Sequence, residues 1–437
     1  MFAVPARSRL AMFSLMTAAA SGWAPPAHGQ AGPSFPSGAS GYDQELGVTV
    51  QSRPRPQYET DGVAVGSFVI RPELHQTLFV NSSVNGTPGS GSAGSQTGAS
   101  FAAQSDWGRE SLGGEIGVDH QQYFDLPSES YTDWNIGLGG GYTIGDHQLT
   151  GSYSHQAYHQ LGTGIGTTQS ETPVLDQTDT AQVGYGFNVG LFTIMPDLSV
   201  SAYRYGNATS QGISFNQDFL NRDVIAGGVS TRFSAFGSSG LLFVVRGTHS
   251  QYNTPQRSQP SNNSTSFQAL AGLDYQAEGV WRYNLLVGIE TRSFEASQYP
   301  SRTSPIIEAS AIWSPTAVTT LTCNLSRVIQ DPETASTAGY VLTQAGLVLD
   351  YELGRGVLLQ ARGGLQYAEY LQSGTQISLT IGGGITWLLN RNVRLLLSED
   401  YTAQSSPGDS GSVQAVQARR NGQYHQNLTS LALRIAF

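Results

Sequence analysis

The chain has no lysine: all 22 of its basic residues are arginine, and the four charged types together make up only 12% of its 437 residues. An ordinary soluble domain carries about twice that share. The missing lysine reads first as a codon-usage bias and only second as an arginine-dependent chemistry. A net charge of −10 with no basic stripe excludes general nucleic-acid binding, which needs clustered cations to neutralise phosphates. Cys323 is the only cysteine, so no internal disulfide holds the fold, and its setting in LTCNLSR reads as a small side chain in a strand. Beyond the N-terminal region no run approaches the 18 apolar residues of a membrane-crossing helix, and no segment keeps a 3.6-residue apolar period. A helical bundle is thereby excluded.

What the chain does have is 52 glycines, 20 tyrosines and an N-terminus laid out for export. Arg7 and Arg9 precede an apolar stretch from Leu10 to about Ala20, followed by small residues and a cleavage point near AHGQA. Residues 1–31 therefore read as a secretory signal peptide. Residues 32–62 are rich in Pro, Gly, Ser and Gln, including SRPRPQYETDG. Proline removes ladder donors, so this stretch is expected to be an extended periplasmic arm outside the sheet.

From residue 63 to 437 the texture is different. Segments rich in β-branched and aromatic residues alternate at period two and are punctuated by turn residues. Short turns are expected at Asp106-Trp107-Gly108, Gly145-Asp146, Pro196-Asp197, Gly237 to Gly240, Glu278-Gly279, Ser314-Pro315, Gly354-Arg355 and Asn390 to Asn392. Longer polar stretches such as GTGIGTTQSET and NTPQRSQPSNNST lie between them. Short turns on one side and long loops on the other are the habit of an antiparallel up-and-down transmembrane β-barrel. Eight short turns join eight strand pairs, and one strand at each end brings the count to about 18, with 16 as the alternative. The first strand is expected over about Pro72 to Asn81 and the second over about Ser95 to Ser105.

The two faces of these strands meet different surroundings. In WRYNLLVGIETR, Trp281, Tyr283, Leu285, Val287 and Ile289 share one face, while Arg282, Asn284, Glu290 and Arg292 share the other. A soluble sandwich alternates as well, with its apolar face turned inward. The final strand tips the balance. Leu431, Leu433, Ile435 and Phe437 form an apolar row that reads as a barrel-assembly signal, and Phe437 is expected to close the seam facing lipid. A closed barrel is also the only strand architecture that leaves no unpaired backbone in hydrocarbon.

The join VTVQSRPRPQYETDGVAVGSFVIRPEL, the SDWGRE turn, SPIIEASAIWSPTAVTTLTCNLSR and WLLNRNVRLLLSEDY together resemble the family described as Putative beta-barrel porin 2, over about Gly47 to Phe437. The resemblance implies a Gram-negative outer-membrane barrel, often encoded beside exopolysaccharide synthesis and export genes. The partners it implies are outer-membrane lipid, the barrel-assembly machinery, and a polysaccharide with its periplasmic export components.

Candidate chemistry is sparse. GDSG at Gly408 to Gly411 has no histidine motif to make a triad. His147, His155 and His159 share one face but are spaced by roughly 26 and 13 Å along a strand, too far apart for one metal. Gly162 to Gly166 (GTGIG) and Gly382 to Gly384 read as loop flexibility and strand thinning. No catalytic residue, metal or cofactor is expected. By parity Arg246, Arg282, Glu290, Arg292, Asp350, Glu352, Arg362, Arg394 and Arg434 point inward as candidate channel-lining residues. They either brace the wall through salt bridges or line a pore in which guanidinium forks hold the carboxylates of an acidic sugar. The functional expectation is an outer-membrane channel exporting an exopolysaccharide. A sugar-selective or general uptake porin and a non-transporting structural barrel are the alternatives.

Overall fold

The computed structural model describes residues 48–437 apart from 87–88, 108–109, 163, 168–169, 211, 255–259, 276–279, 333–336, 372–373 and 406–423. The signal peptide, most of the arm, the GDSG segment and the Glu278-Gly279 turn lie outside the described residues.

Strands account for nearly all the regular structure. They are β1 (Val63–Val65), β2 (Phe68–Asn81), β3 (Ser92–Ser105), β4 (Glu110–Tyr123), β5 (Tyr131–Ile144), β6 (His147–Gln160) and β7 (Val174–Val189). Next come β8 (Phe192–Tyr205), β9 (Ala208–Ser210), β10 (Ile213–Phe215), β11 (Arg222–Phe236), β12 (Ser239–Tyr252), β13 (Ser264–Tyr275) and β14 (Trp281–Phe294). The remainder are β15 (Arg302–Thr316), β16 (Thr319–Gln330), β17 (Tyr340–Gly354), β18 (Val357–Tyr370), β19 (Thr375–Leu388), β20 (Val393–Ser405) and β21 (Tyr424–Ala436). Among the described residues no helix is long and apolar enough to cross a membrane.

Each long strand pairs antiparallel with its sequence neighbours, β8 pairs with β11 across the small β9–β10 hairpin, and β21 returns to β2. Strands β2–β8 and β11–β21 thus close an 18-stranded barrel. β1 adds only a flap, folding back on β2 about Gly66 at φ +62°. A 14-residue strand such as β2 spans about 46 Å, and a tilt of about 40° leaves roughly 35 Å along the barrel axis, enough to cross a hydrocarbon core.

The seam is paired from Glu73↔Ala436 to Asn81↔Leu428, and the Phe437 N–H donates to the Pro72 carbonyl at 3.1 Å. Regular strand ends at Ala436, one residue short of Phe437, which lies half-exposed beyond the ladder. The outward rows are apolar: Leu74 and Leu78 on β2, Leu285, Val287 and Ile289 on β14, and Leu431 and Leu433 on β21 are all exposed. Aromatic pairs gather at the short-turn end of this outer face. Trp281 stacks on Trp313 at 5.5 Å, Tyr275 on Tyr283 at 5.7 Å and Phe192 on Phe233 at 4.8 Å, where a membrane-interface girdle belongs.

Two of the expected turns are displaced. Pro196-Asp197 lies inside β8, and the chain reverses instead at Gly190-Leu191, where Gly190 takes φ +62°. The β7–β8 ladder lapses beside Pro196, between Gly184↔Asp197 and Phe187↔Ile194, which accommodates the missing N–H. Ser314-Pro315 likewise belongs to β15, at a register irregularity between Trp313 and Thr316, and Ala317-Val318 form the turn. Proline marks gaps in the ladder here, not reversals of the chain.

Leu431 sits near the middle of β21 and is 43% exposed on the outer face. Leu431→Arg should destabilise the barrel by about 2–4 kcal/mol, the cost of a guanidinium at the bilayer midplane. Denaturant titration in lipid vesicles, read by heat-modifiable gel mobility, measures this, and an unchanged midpoint would contradict the assigned face.

Candidate functional site: the lumen and its two closures

The inner face is built from side chains that alternate with the outer apolar rows, and its charges are mostly matched. Arg246 on β12 forms a two-pronged pair with Glu308 on β15, Nη1 to Oε1 at 2.6 Å and Nη2 to Oε2 at 3.3 Å. Arg362 Nε donates to Asp400 Oδ1 at 2.8 Å, and Gly382 between them is needed, because a Cβ there would overlap the Asp400 carboxylate. Arg434 Nε donates to Glu73 at 2.9 Å across the seam. Asp350 accepts from Gln360 Nε2 at 2.9 Å. Glu290, wholly buried, accepts from Gln268 at 3.2 Å and from Arg292 at 3.4 Å. Glu352 accepts from Arg55 at 2.9 Å, and Arg394 donates to the Tyr58 carbonyl at 3.3 Å. Asp350, Arg394 and Arg282 are the members of the nine without an ion pair among the described residues, the first two being held by neutral partners.

The acceptors Glu308, Asp400 and Glu73, and the Arg232–Asp274 pair at 2.9 Å, were absent from the expected set. Parity could have placed them inward, but which charge meets which depends on strand register. The inner face is also less uniformly wet than the alternation predicts. Leu242, Val244, Leu270, Leu286 and Ile306 form a buried apolar patch on the inner side of β12–β15.

The short-turn mouth is lined along one side by the arm. Its Val50 is fully buried against Leu358 and Leu388, with Tyr58 packed alongside, and the Val50 N–H donates to Thr320 Oγ1 at 3.1 Å. Arg55 reaches Glu352, and Arg53 donates to the Ala317 carbonyl. Every one of these wall side chains is inward-facing. The segment from Val48 to Asp61 therefore lies inside the rim along β16–β20 before the flap begins.

The long-loop mouth is covered from two sides. The loop between β6 and β7 reaches the opposite wall, nine strands away around the barrel. Ile165, 2% exposed, packs on Tyr340, Leu342, Ala368 and Tyr370, and the Gly166 N–H donates to the Tyr370 hydroxyl at 3.0 Å. Gly166 takes φ +79°, and a Cβ would lie 2.8 Å from the Tyr340 ring. Ile165 and Gly166 of this stretch thus form a docking tip, where the sequence suggests only loop flexibility. Burying Ile165 contributes about 1.5–3 kcal/mol and the hydrogen bond about 1 kcal/mol. Ordering each residue costs about 1–2 kcal/mol, so the tip is held by a margin small enough to be released.

From the other side comes the end of β16. Its ladder with β15 stops at Ile307↔Arg327, while pairing with β17 continues to Gln330↔Tyr340. The Ile329 N–H donates to Glu290 at 3.2 Å, its carbonyl accepts from Arg292 at 3.0 Å, and Asp331 lies 2.6 Å from Arg292 and 3.4 Å from Arg222. Burial alone would push the Asp331 carboxyl up, but the Arg292 and Arg222 guanidiniums and the Ser250 hydroxyl carry it below the ordinary value. Around this mouth the inner wall presents Tyr123, Tyr131, Tyr203, Tyr205, Tyr252 and Tyr340, all buried.

Asn85 ties the loops together. It holds φ +55°, donates to Glu129 Oε2 at 2.8 Å and to the Glu171 carbonyl at 3.1 Å, and accepts from the Gly162 N–H at 3.1 Å. Glu129 is 7% exposed, and burial pushes its carboxyl up to about 7, partly offset by the Asn85 bond.

His75 faces the lumen from the middle of β2 and pairs with Asp119 at 2.6 Å, whereas the β6 histidines stand elsewhere. His147 stacks on Tyr185 and His155 on Trp134, both outward, while His159 pairs with Asp133 at 2.8 Å. No group of three or more His, Cys, Asp or Glu among the described residues could hold a metal ion.

A closed antiparallel barrel, greasy outside and polar within, with short turns at one end and long loops at the other, defines a porin-class β-barrel. The family model described as Putative beta-barrel porin 2 matches residues 55–420, and the chain belongs to that family. No curated protein matches it. Among solved structures it is similar to the FrpB iron transporter from Neisseria meningitidis, at 9% identity and a TM-score of 0.45, covering 77% of this chain and 62% of that one. It is also similar to OccK2 (OpdF) of Pseudomonas aeruginosa, at 10% identity and a TM-score of 0.47, covering 85% of this chain and 99% of that one. The chain therefore spans under two thirds of the FrpB transporter it matches.

Because the folded-state value of Glu129 lies above the ordinary 4.5, its protonated form favours the docked loops. That contribution is complete below about pH 4.5 and is lost as pH rises through about 7. Limited proteolysis at Gly162–Thr172 should accelerate between pH 5 and pH 8 in the wild type but not in Glu129→Gln, and equal acceleration in both would refute the assignment.

Proposed function

We propose that the protein is an outer-membrane channel that passes an extracellular polysaccharide outward, and that in the state described its own segments close it. The observation that carries this reading is the collar of inward tyrosines beneath the docked tip of the β6–β7 loop. Aromatic faces suit the C–H faces of pyranose rings, and adjacent guanidiniums suit carboxylate or hydroxyl groups. An 18-stranded barrel is wide enough for an aqueous path once such closures withdraw. The barrel does no chemistry in this account. It supplies a hydrated route, and synthesis or an inner-membrane partner supplies the driving force.

Coverage of the long-loop mouth, with the arm lining part of the other, also favours a second reading, a structural barrel that never conducts. Planar-bilayer recording separates the two. Gly166→Val, which clashes with Tyr340, should raise open probability several-fold over the wild type. Silence in both would leave the structural reading. Export and uptake are then told apart in a deletion strain, where export requires loss of extracellular polysaccharide with sugar uptake unchanged. The reverse pattern would identify an uptake porin.

A further inference from the structure

Asp331 is placed as a ligand would be. It stands just past the end of β16, beyond the point where that strand leaves β15, so no ladder bond fixes it. Its carboxylate instead lies between two buried guanidiniums from the opposite side of the gap, Arg222 on β11 and Arg292 on β14, with the Ser250 hydroxyl donating to it at 3.0 Å. Arg222 is itself packed in aromatic faces, its guanidinium carbon 4.3 Å from the centroid of Tyr203 and 5.9 Å from that of Tyr252.

The pocket offers more than Asp331 uses. Arg292 Nε has no acceptor, and Arg222 Nε lies 3.4 Å from Asp331 Oδ2 without hydrogen-bond alignment. Both arginines are more than nine-tenths buried. Arg292 also serves Glu290 and the Ile329 carbonyl, but a buried guanidinium donor left unmatched is costly, so a larger partner that fills the two Nε positions is favoured over Asp331 in that place. Carboxylate, flanking hydroxyls and a ring face in one molecule describe a uronic acid.

We propose that Arg222 and Arg292, with Tyr203 and Tyr252, form a binding site for the carboxylate of an acidic sugar, which Asp331 occupies as an internal stand-in. A uronate that takes the two guanidiniums expels Asp331 and with it the end of β16. That end carries Gln330, paired to Tyr340, the residue on which Gly166 is docked, so occupancy of the site loosens the closure of the long-loop mouth. The proposal rests on the channel reading for its consequence, but not for the binding event.

The test is titration calorimetry of the mature full-length chain in detergent, with D-glucuronate as probe and D-glucose as control. Asp331→Asn keeps the shape and removes the competing charge, and should bind glucuronate about ten-fold more tightly than the wild type, as expected for the loss of one competing ion pair. Ser250→Ala, which removes one bond to Asp331, should move affinity the same way by a smaller factor and decides the matter if Asp331→Asn does not fold. Adding Arg222→Lys to either should abolish the gain. Equal affinity in wild type and both variants, or glucose bound as well as glucuronate, would overturn the site. Conductance of the same preparations is read separately: tight binding without conductance leaves the site standing and removes the channel.

Discussion

Everything in this molecule depends on backbone pairing in a solvent that offers none. Within hydrocarbon each unpaired N–H or C=O costs several kcal/mol, so a sheet can cross only if its last strand finds its first. The Glu73–Asn81 and Leu428–Ala436 seam meets that demand, and the Phe437 N–H adds one further bond to the Pro72 carbonyl. Once the ladder is closed, alternation does the rest: Leu431 and Leu433 face outward, while Ser430 meets Ser398 and Arg434 meets Glu73 inside.

The inner wall answers a different problem. Charges placed inside a barrel are costly unless matched, and nearly all the inward arginines have carboxylate or carbonyl acceptors. Such pairs brace neighbouring strands and leave little free charge to select ions. Two incompletely matched guanidiniums, Arg222 and Arg292, lie where β16 parts from β15. The Glu290, Arg292 and Asp331 cluster holds that parted end by side chains where a ladder would otherwise hold it.

Much of the fold was legible because period two and turn spacing are local signals. The Trp281–Arg292 alternation placed β14 correctly, and the parity of the turns led to 18 strands even with two turns misplaced at Pro196 and Pro315. Proline's local signal suggests a reversal, whereas in β8 and β15 it marks a lapse in the ladder. The closures were not legible. The pocket for Ile165 is made by Tyr340 and Tyr370, about 200 residues later, so glycine-rich GTGIG looked merely loose. The same holds for the salt bridges. Parity points Arg246 inward, but only register brings Glu308 to it. Leu286 and its apolar neighbours on the inner face broke the expected pattern because the interior of this barrel is partly packed as well as wetted.

The central claim is that lipid bathes one face of every strand and the barrel interior the other. Single tryptophans at positions 430, 431, 432 and 433 of β21, introduced singly in a mature chain whose native tryptophans are replaced by phenylalanine and reconstituted in brominated-lipid vesicles, test it most directly. Strong quenching at 431 and 433 with little at 430 and 432 is the result this account predicts. Quenching that is uniform along the four positions, or absent from all of them, would contradict it.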